Sequence, residues 1–194
     1  SGVRSTAVGY NALNAIVTTN DSTAVGYNAL ALDTGGSNTA IGSGALDANT
    51  TGTGNVALGL DALGGNTLGA WNTALGTYAL DAMTTGSSTV AIGYNALGSN
   101  TTGASSTAIG YQALFSNTTA SNNTAVGAGA LFANTTGTRN TALGLAALNA
   151  IVTANDSTAV GYNALLLDTG GSNTAVGSGA GDAITNNINN VAIG

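Results

Sequence analysis

Aspartate, tyrosine and arginine are the only side chains here with useful acid, base or cation chemistry. The chain holds eight aspartates and six tyrosines, with Arg4 and Arg139 as its only cations, and it has no His, Cys, Lys or Glu. Without imidazole, thiol or amine, the common general bases, nucleophile–base pairs and soft metal clusters cannot be assembled. No catalytic residue, metal or cofactor is therefore expected. Two aspartates could serve as a glycosidase pair, and Asp33, Asp47 and Asp61 fall on successive repeats, but in different columns. They read as solvated loop carboxylates. Calcium would use the same oxygens, yet no Asp-rich loop supports it.

The tyrosines are better ordered. Tyr10 and Tyr27 recur at one position of adjacent repeats, as do Tyr94 and Tyr111, and Tyr162 repeats it alone. Each precedes an amide: Asn11, Asn28, Asn95, Gln112 or Asn163. Aromatic rings beside amides suit a sugar or protein ligand. The competing reading is ring stacking between repeats, which stiffens a rod and binds nothing.

The elements that carry these side chains follow from a glycine ladder. Twelve glycines from Gly9 to Gly194 recur every 17 residues, with two intervals shortened to 16. A fixed short period from end to end marks a solenoid. With this glycine numbered fifth of 17 positions, the second is always Thr or Val, the third always Ala, and the fourth always Val, Ile or Leu. Residues two apart on a strand share a face, so this phrase is a short strand with a branched face and a bare Ala/Gly face. Glycine then turns the chain, an Ala-Leu segment follows, and a stretch such as Ala48-Asn49-Thr50-Thr51-Gly52 closes the coil. The first-column residues Ser22, Asn38, Asn55 and Asn72 are expected to form a hydrogen-bonded ladder at the corner. The fold class is all-β: one domain over 1–194, a β-solenoid of about twelve coils with stacked parallel strands.

Two packings fit the strand. In the first, the branched face fills the coil and the bare face, Ala7, Ala24, Ala40, Ala57, Ala74, Ala91, Ala108, Ala125, Ala142, Ala159, Ala175 and Ala192, meets another chain. In the second, the alanines form a narrow interior and Thr with Val makes a flat outer face. The first is the expectation, because aliphatic columns are more often core than surface.

Composition narrows the partners. A net charge of −6 with two cations is unsuited to nucleic acid or an anionic membrane. No apolar run is long enough to span a bilayer. Residues 14–45 and 149–180 match at 29 of 32 positions, a sign of internal copying. The chain opens mid-coil and closes on a complete strand phrase, so the expectation is an excerpt of a longer fibre or end-to-end stacking.

The phrases Asn190-Val191-Ala192-Ile193-Gly194 and Thr89-Val90-Ala91-Ile92-Gly93 resemble the head repeat of YadA-type trimeric autotransporter adhesins. They are also similar to Asn-Thr-Ala-x-Gly repeats of phage tail fibres. The resemblance implies a left-handed β-roll, three of which associate along one axis as an adhesive fibre on a cell surface or virion. It also implies branched side chains inside each roll and alanine against a neighbour. The coil here is longer than the adhesin repeat. The expected function is a non-enzymatic extracellular fibre segment, acting as a homo-oligomer against a host receptor or glycan. A self-assembling end-to-end filament is the alternative, and an ice-binding solenoid is a third reading that requires the second packing.

Overall fold

The computed structural model describes residues 4–15 and 21–194. Twelve strands of three residues each, from β1 (Thr6–Val8) to β12 (Val191–Ile193), form a single sheet in chain order. Every pairing is parallel and keeps the columns aligned, as in Thr107↔Thr124, Ala108↔Ala125 and Ile109↔Val126. The chain is thus a β-solenoid, with its strand side roughly 50 Å long at the usual spacing between strands.

The strand faces inward by its alanines, which reverses the expected packing. Ala24, Ala40, Ala57, Ala74, Ala91, Ala108, Ala125, Ala142, Ala159 and Ala175 are fully buried inside their own chain. Ala7 is exposed and Ala192 half-buried, on strands with a neighbour on one side only. The alanine column therefore cannot be a face that meets another chain. Threonine and Val at the second position, and Val, Ile or Leu at the fourth, are half-buried or exposed throughout.

Two causes set this orientation. The interior is already filled by leucine from across the coil: Leu30, Leu46, Leu63, Leu80, Leu97, Leu114, Leu131, Leu148 and Leu165 are buried, each worth about 1.5–3 kcal/mol of transfer free energy. A coil this thin holds one such side chain opposite an alanine. The second cause is parity. The first-column Asn38, Asn55, Asn72, Asn123, Asn140 and Asn173 are buried too, and alternation carries the third-column alanine inward with them.

The expected amide ladder forms along this corner. Asn55 Nδ2 donates to the Gly69 carbonyl at 2.8 Å across its own coil, while its Oδ1 accepts the Asn72 N–H at 2.9 Å from the next. Each amide thus closes one coil and joins it to its neighbour. A second ladder uses the twelfth column, where Asn66 Nδ2 donates to Asn49 Oδ1 at 2.8 Å and to the Gly69 carbonyl at 3.0 Å. A third runs along the thirteenth, with Thr67 Oγ1 donating to the Thr84 carbonyl at 3.0 Å.

The glycine ladder is required twice over. Gly110 has φ of +136°, and a Cβ placed there would lie 2.6 Å from the Gly127 carbonyl oxygen of the next coil. No L side chain fits such a stack. The leucines show the opposite compromise: Leu97 and Leu114 sit at φ of +52°, a conformation costing a bulky residue roughly 1–2 kcal/mol. Burial offsets that cost.

Candidate functional site

The side chains left outward by this packing form columns along the rod. Exposed members of the fourth column include Ile41, Leu58, Leu75, Ile109, Leu143 and Val176, flanked by second-column threonines and by Val56. The sixth column, just past the glycine turn, adds exposed Tyr10, Tyr27, Leu60, Tyr94, Tyr111, Leu145 and Tyr162. None of the three columns contains a charged residue. Single exposed apolar residues are ordinary on a soluble protein; here aliphatic side chains recur in every coil of the fourth column, while the sixth is interrupted by Ser43, Thr77 and Ser178.

Tyrosine rings use much of their surface on each other. Tyr10 and Tyr27 stack with centroids 5.6 Å apart and planes 10° from parallel, and Tyr94 and Tyr111 stack at 5.6 Å and 11°. Tyr162 stands exposed without an aromatic neighbour among the described residues. Tyr78, from the seventh column, meets Tyr94 edge-on at 6.2 Å, a contact that column-by-column reading misses. Phe115 and Phe132 form another stack at 5.6 Å on the loop side.

The amide beside each tyrosine has a backbone explanation. Asn11, Asn28, Asn95, Gln112 and Asn163 all have φ between +52° and +56°. Asparagine tolerates that left-handed conformation better than most residues, and Gly44 and Gly129 occupy the same column elsewhere. The pairing of ring with amide is thus a consequence of the turn. Asn28 Oδ1 is buried without a partner rather than presented outward.

Charge lies off the apolar columns. Arg4 pairs with Asp21 at 2.7 Å and Arg139 with Asp156 at 2.6 Å, both solvent-exposed links between adjacent coils. The hydrogen bond from Arg139 holds the Asp156 carboxyl below its ordinary range. Asp47 and Asp81 are pushed up, chiefly by partial burial and further by the nearby Asp61 charge. Asp33 differs from the solvated carboxylate expected of it: it is fully buried, with Oδ1 accepting from Asn49 Nδ2 at 2.7 Å and Asn38 Nδ2 at 3.1 Å. It takes the place of a ladder asparagine.

Trp71 is exposed, with its indole lying over Gly54 of the preceding coil. Among the described residues no pocket opens in the surface, and no three carboxylates converge as a metal site. No helix among them is long and apolar enough to cross a membrane. Comparison with protein-family models, curated proteins and solved structures gives no match.

Proposed function

We propose that this chain is a non-enzymatic segment of an extracellular fibre, an adhesin head or tail-fibre shaft, which works as a rod built from several copies of itself. The observation that carries this reading is the uncharged band of fourth- and sixth-column side chains running along every coil. A partner with the same repeat can match it over its whole length, and another copy of this chain has that repeat by construction. The backbone pairing and three polar ladders supply stiffness, and function arises from the assembled surface. A trimer in which the bands converge on a common axis would hide them together. Attachment to a host receptor or glycan then falls to side chains outside the band. End-to-end stacking into a filament is the alternative assembly.

Sedimentation tests the association. The chain at micromolar concentration is expected to sediment as an oligomer, and Ile109→Asp as a folded species of lower mass. A stable wild-type monomer overturns the reading. In that event the nine outward threonines of the second column favour the ice-binding alternative, which thermal hysteresis would reveal.

A further inference from the structure

The seam between coil 9 (140–156) and coil 10 (157–172) differs from its neighbours at the polar corner. At the preceding seam, Thr135 N–H and Oγ1 donate to the Val152 carbonyl at 2.8 and 3.1 Å, and Thr136 N–H donates there at 3.3 Å. Equivalent thirteenth-column backbone bonds from Thr34, Thr50, Thr67, Thr84, Thr101, Thr118 and Thr169 join the other described coils between coil 2 and coil 11. Coil 9 presents Ile151 and Val152 instead. Valine has no hydroxyl to donate, and no backbone N–H of residues 151–154 donates to coil 10.

The twelfth-column ladder lapses at the same place. Ile151 is fully buried between Asn134 of coil 8 and Asp168 of coil 10 in that column. Both of these have a buried oxygen without a partner, Asn134 Oδ1 and Asp168 Oδ2. In the intact ladder each amide donates to the Oδ1 of the preceding coil, as Asn66 does to Asn49, so Ile151 withholds a donor from Asn134 and offers Asp168 no polar partner. Met83 breaks the same ladder and leaves Asn66 Oδ1 unpartnered, but there Thr84 still carries the adjacent threonine bonds to Thr101.

The strand side of the seam is complete. Strand β9 (Thr141–Leu143) pairs with β10 (Thr158–Val160) in register, and Leu148 N–H and Ala150 N–H donate across to Ala164 and Leu166 carbonyls at 3.0 and 3.2 Å. On the corner, the bonds that remain include Ser157 N–H to Asn140 Oδ1 at 2.9 Å and Ser172 N–H to the Asn155 carbonyl at 2.8 Å.

We propose that this seam is a built-in yield point, where the polar corner opens one-sidedly while β9 and β10 stay paired. Opening costs less here because neither the threonine column nor the twelfth-column amides contribute a bond across the seam. The rod thereby gains a defined place to bend.

Native-state hydrogen exchange on the full chain tests it. Ser172 N–H reports opening at this seam, and Asn122 N–H, bonded to the Ala104 carbonyl at 3.1 Å, is its equivalent at an intact seam. Ser172 is expected to exchange roughly tenfold or more faster, as local opening permits. Val152→Thr restores the missing hydroxyl at a surface position. It is expected to slow Ser172 toward the Asn122 rate. Equal exchange at the two sites in the unmodified chain, or fast Ser172 exchange persisting in folded Val152→Thr, overturns the proposal.

Discussion

Residues 14–45 and 149–180 are near-identical, yet the buried aspartate in each meets different neighbours. Asp33 Oδ1 accepts from Gly35 N–H, Asn38 Nδ2 and Asn49 Nδ2, and its Oδ2 accepts from Ser22 Oγ at 3.3 Å. Asp168 Oδ1 keeps the bonds from Gly170 N–H at 2.9 Å and Asn173 Nδ2 at 3.0 Å but has no lateral amide, and its Oδ2, which in the first copy accepts from a serine of the same coil, has no partner. The next coil supplies Asn49 to the first copy and Ile184 to the second. In a stacked repeat a side chain's environment belongs half to the adjacent coil, so copying a segment does not copy its energetics. Both aspartates lie in a 16-residue coil.

The largest expected effect ignores the difference between the copies. Gly26→Ala and Gly161→Ala each place a Cβ 2.2–2.3 Å from the carbonyl oxygen of the next glycine in the ladder, at φ of +144° and +139°. Each is expected to cost about 3 kcal/mol or more, read by thermal or denaturant melts. Unequal losses would show that the ladder, too, depends on its neighbours.

Exchanging neighbours tests the comparison itself. Asn49→Ile gives the first aspartate the second one's surroundings and is expected to destabilise by about 1–3 kcal/mol, since a buried polar group loses its partner. The converse, Ile184→Asn, offers Asp168 Oδ1 the lateral amide that Asn49 gives Asp33, with a gain of up to about 1 kcal/mol. If Asn49→Ile is neutral in denaturant melts, the lateral amide bond carries no weight.

The smallest effect lies between the copies, where the Asp61 charge acts on Asp47 and Asp81. Folding raises the Asp47 and Asp81 pKa values, mainly through burial. Their protonation therefore favours the folded chain: this contribution is full below the ordinary carboxylate pKa and fades as pH rises through the raised values. Asp61→Asn is expected to shrink that dependence in melts recorded across the acid range.

Much of the architecture is legible in the columns. Constant Ala and Gly, with branched residues two apart, specify strand and turn, and the fixed period specifies parallel in-register stacking. The inward face is harder to read, because apolarity points to the fourth column while the deciding residues are polar. Asn38 and Asn55 must be buried to bond the Gly52 and Gly69 carbonyls, and alternation then places Ala40 and Ala57 inside. The outward, uncharged columns follow from the same inversion. The tyrosine column is visible in the sequence, but the amides beside it reflect a left-handed turn, which spacing does not reveal.

The central claim is that the strand turns its alanines inward and its branched side chains outward, and the melting of Leu58→Asp beside Ala57→Asp tests it most directly. Leu58 is 43% exposed and Ala57 is fully buried. The account predicts that Leu58→Asp keeps its β-sheet circular dichroism and a cooperative transition, losing no more than about 1 kcal/mol as an outward strand substitution. Ala57→Asp, with a charge placed in the narrow interior, is expected to abolish folding. A folded Ala57→Asp and an unfolded Leu58→Asp would contradict it.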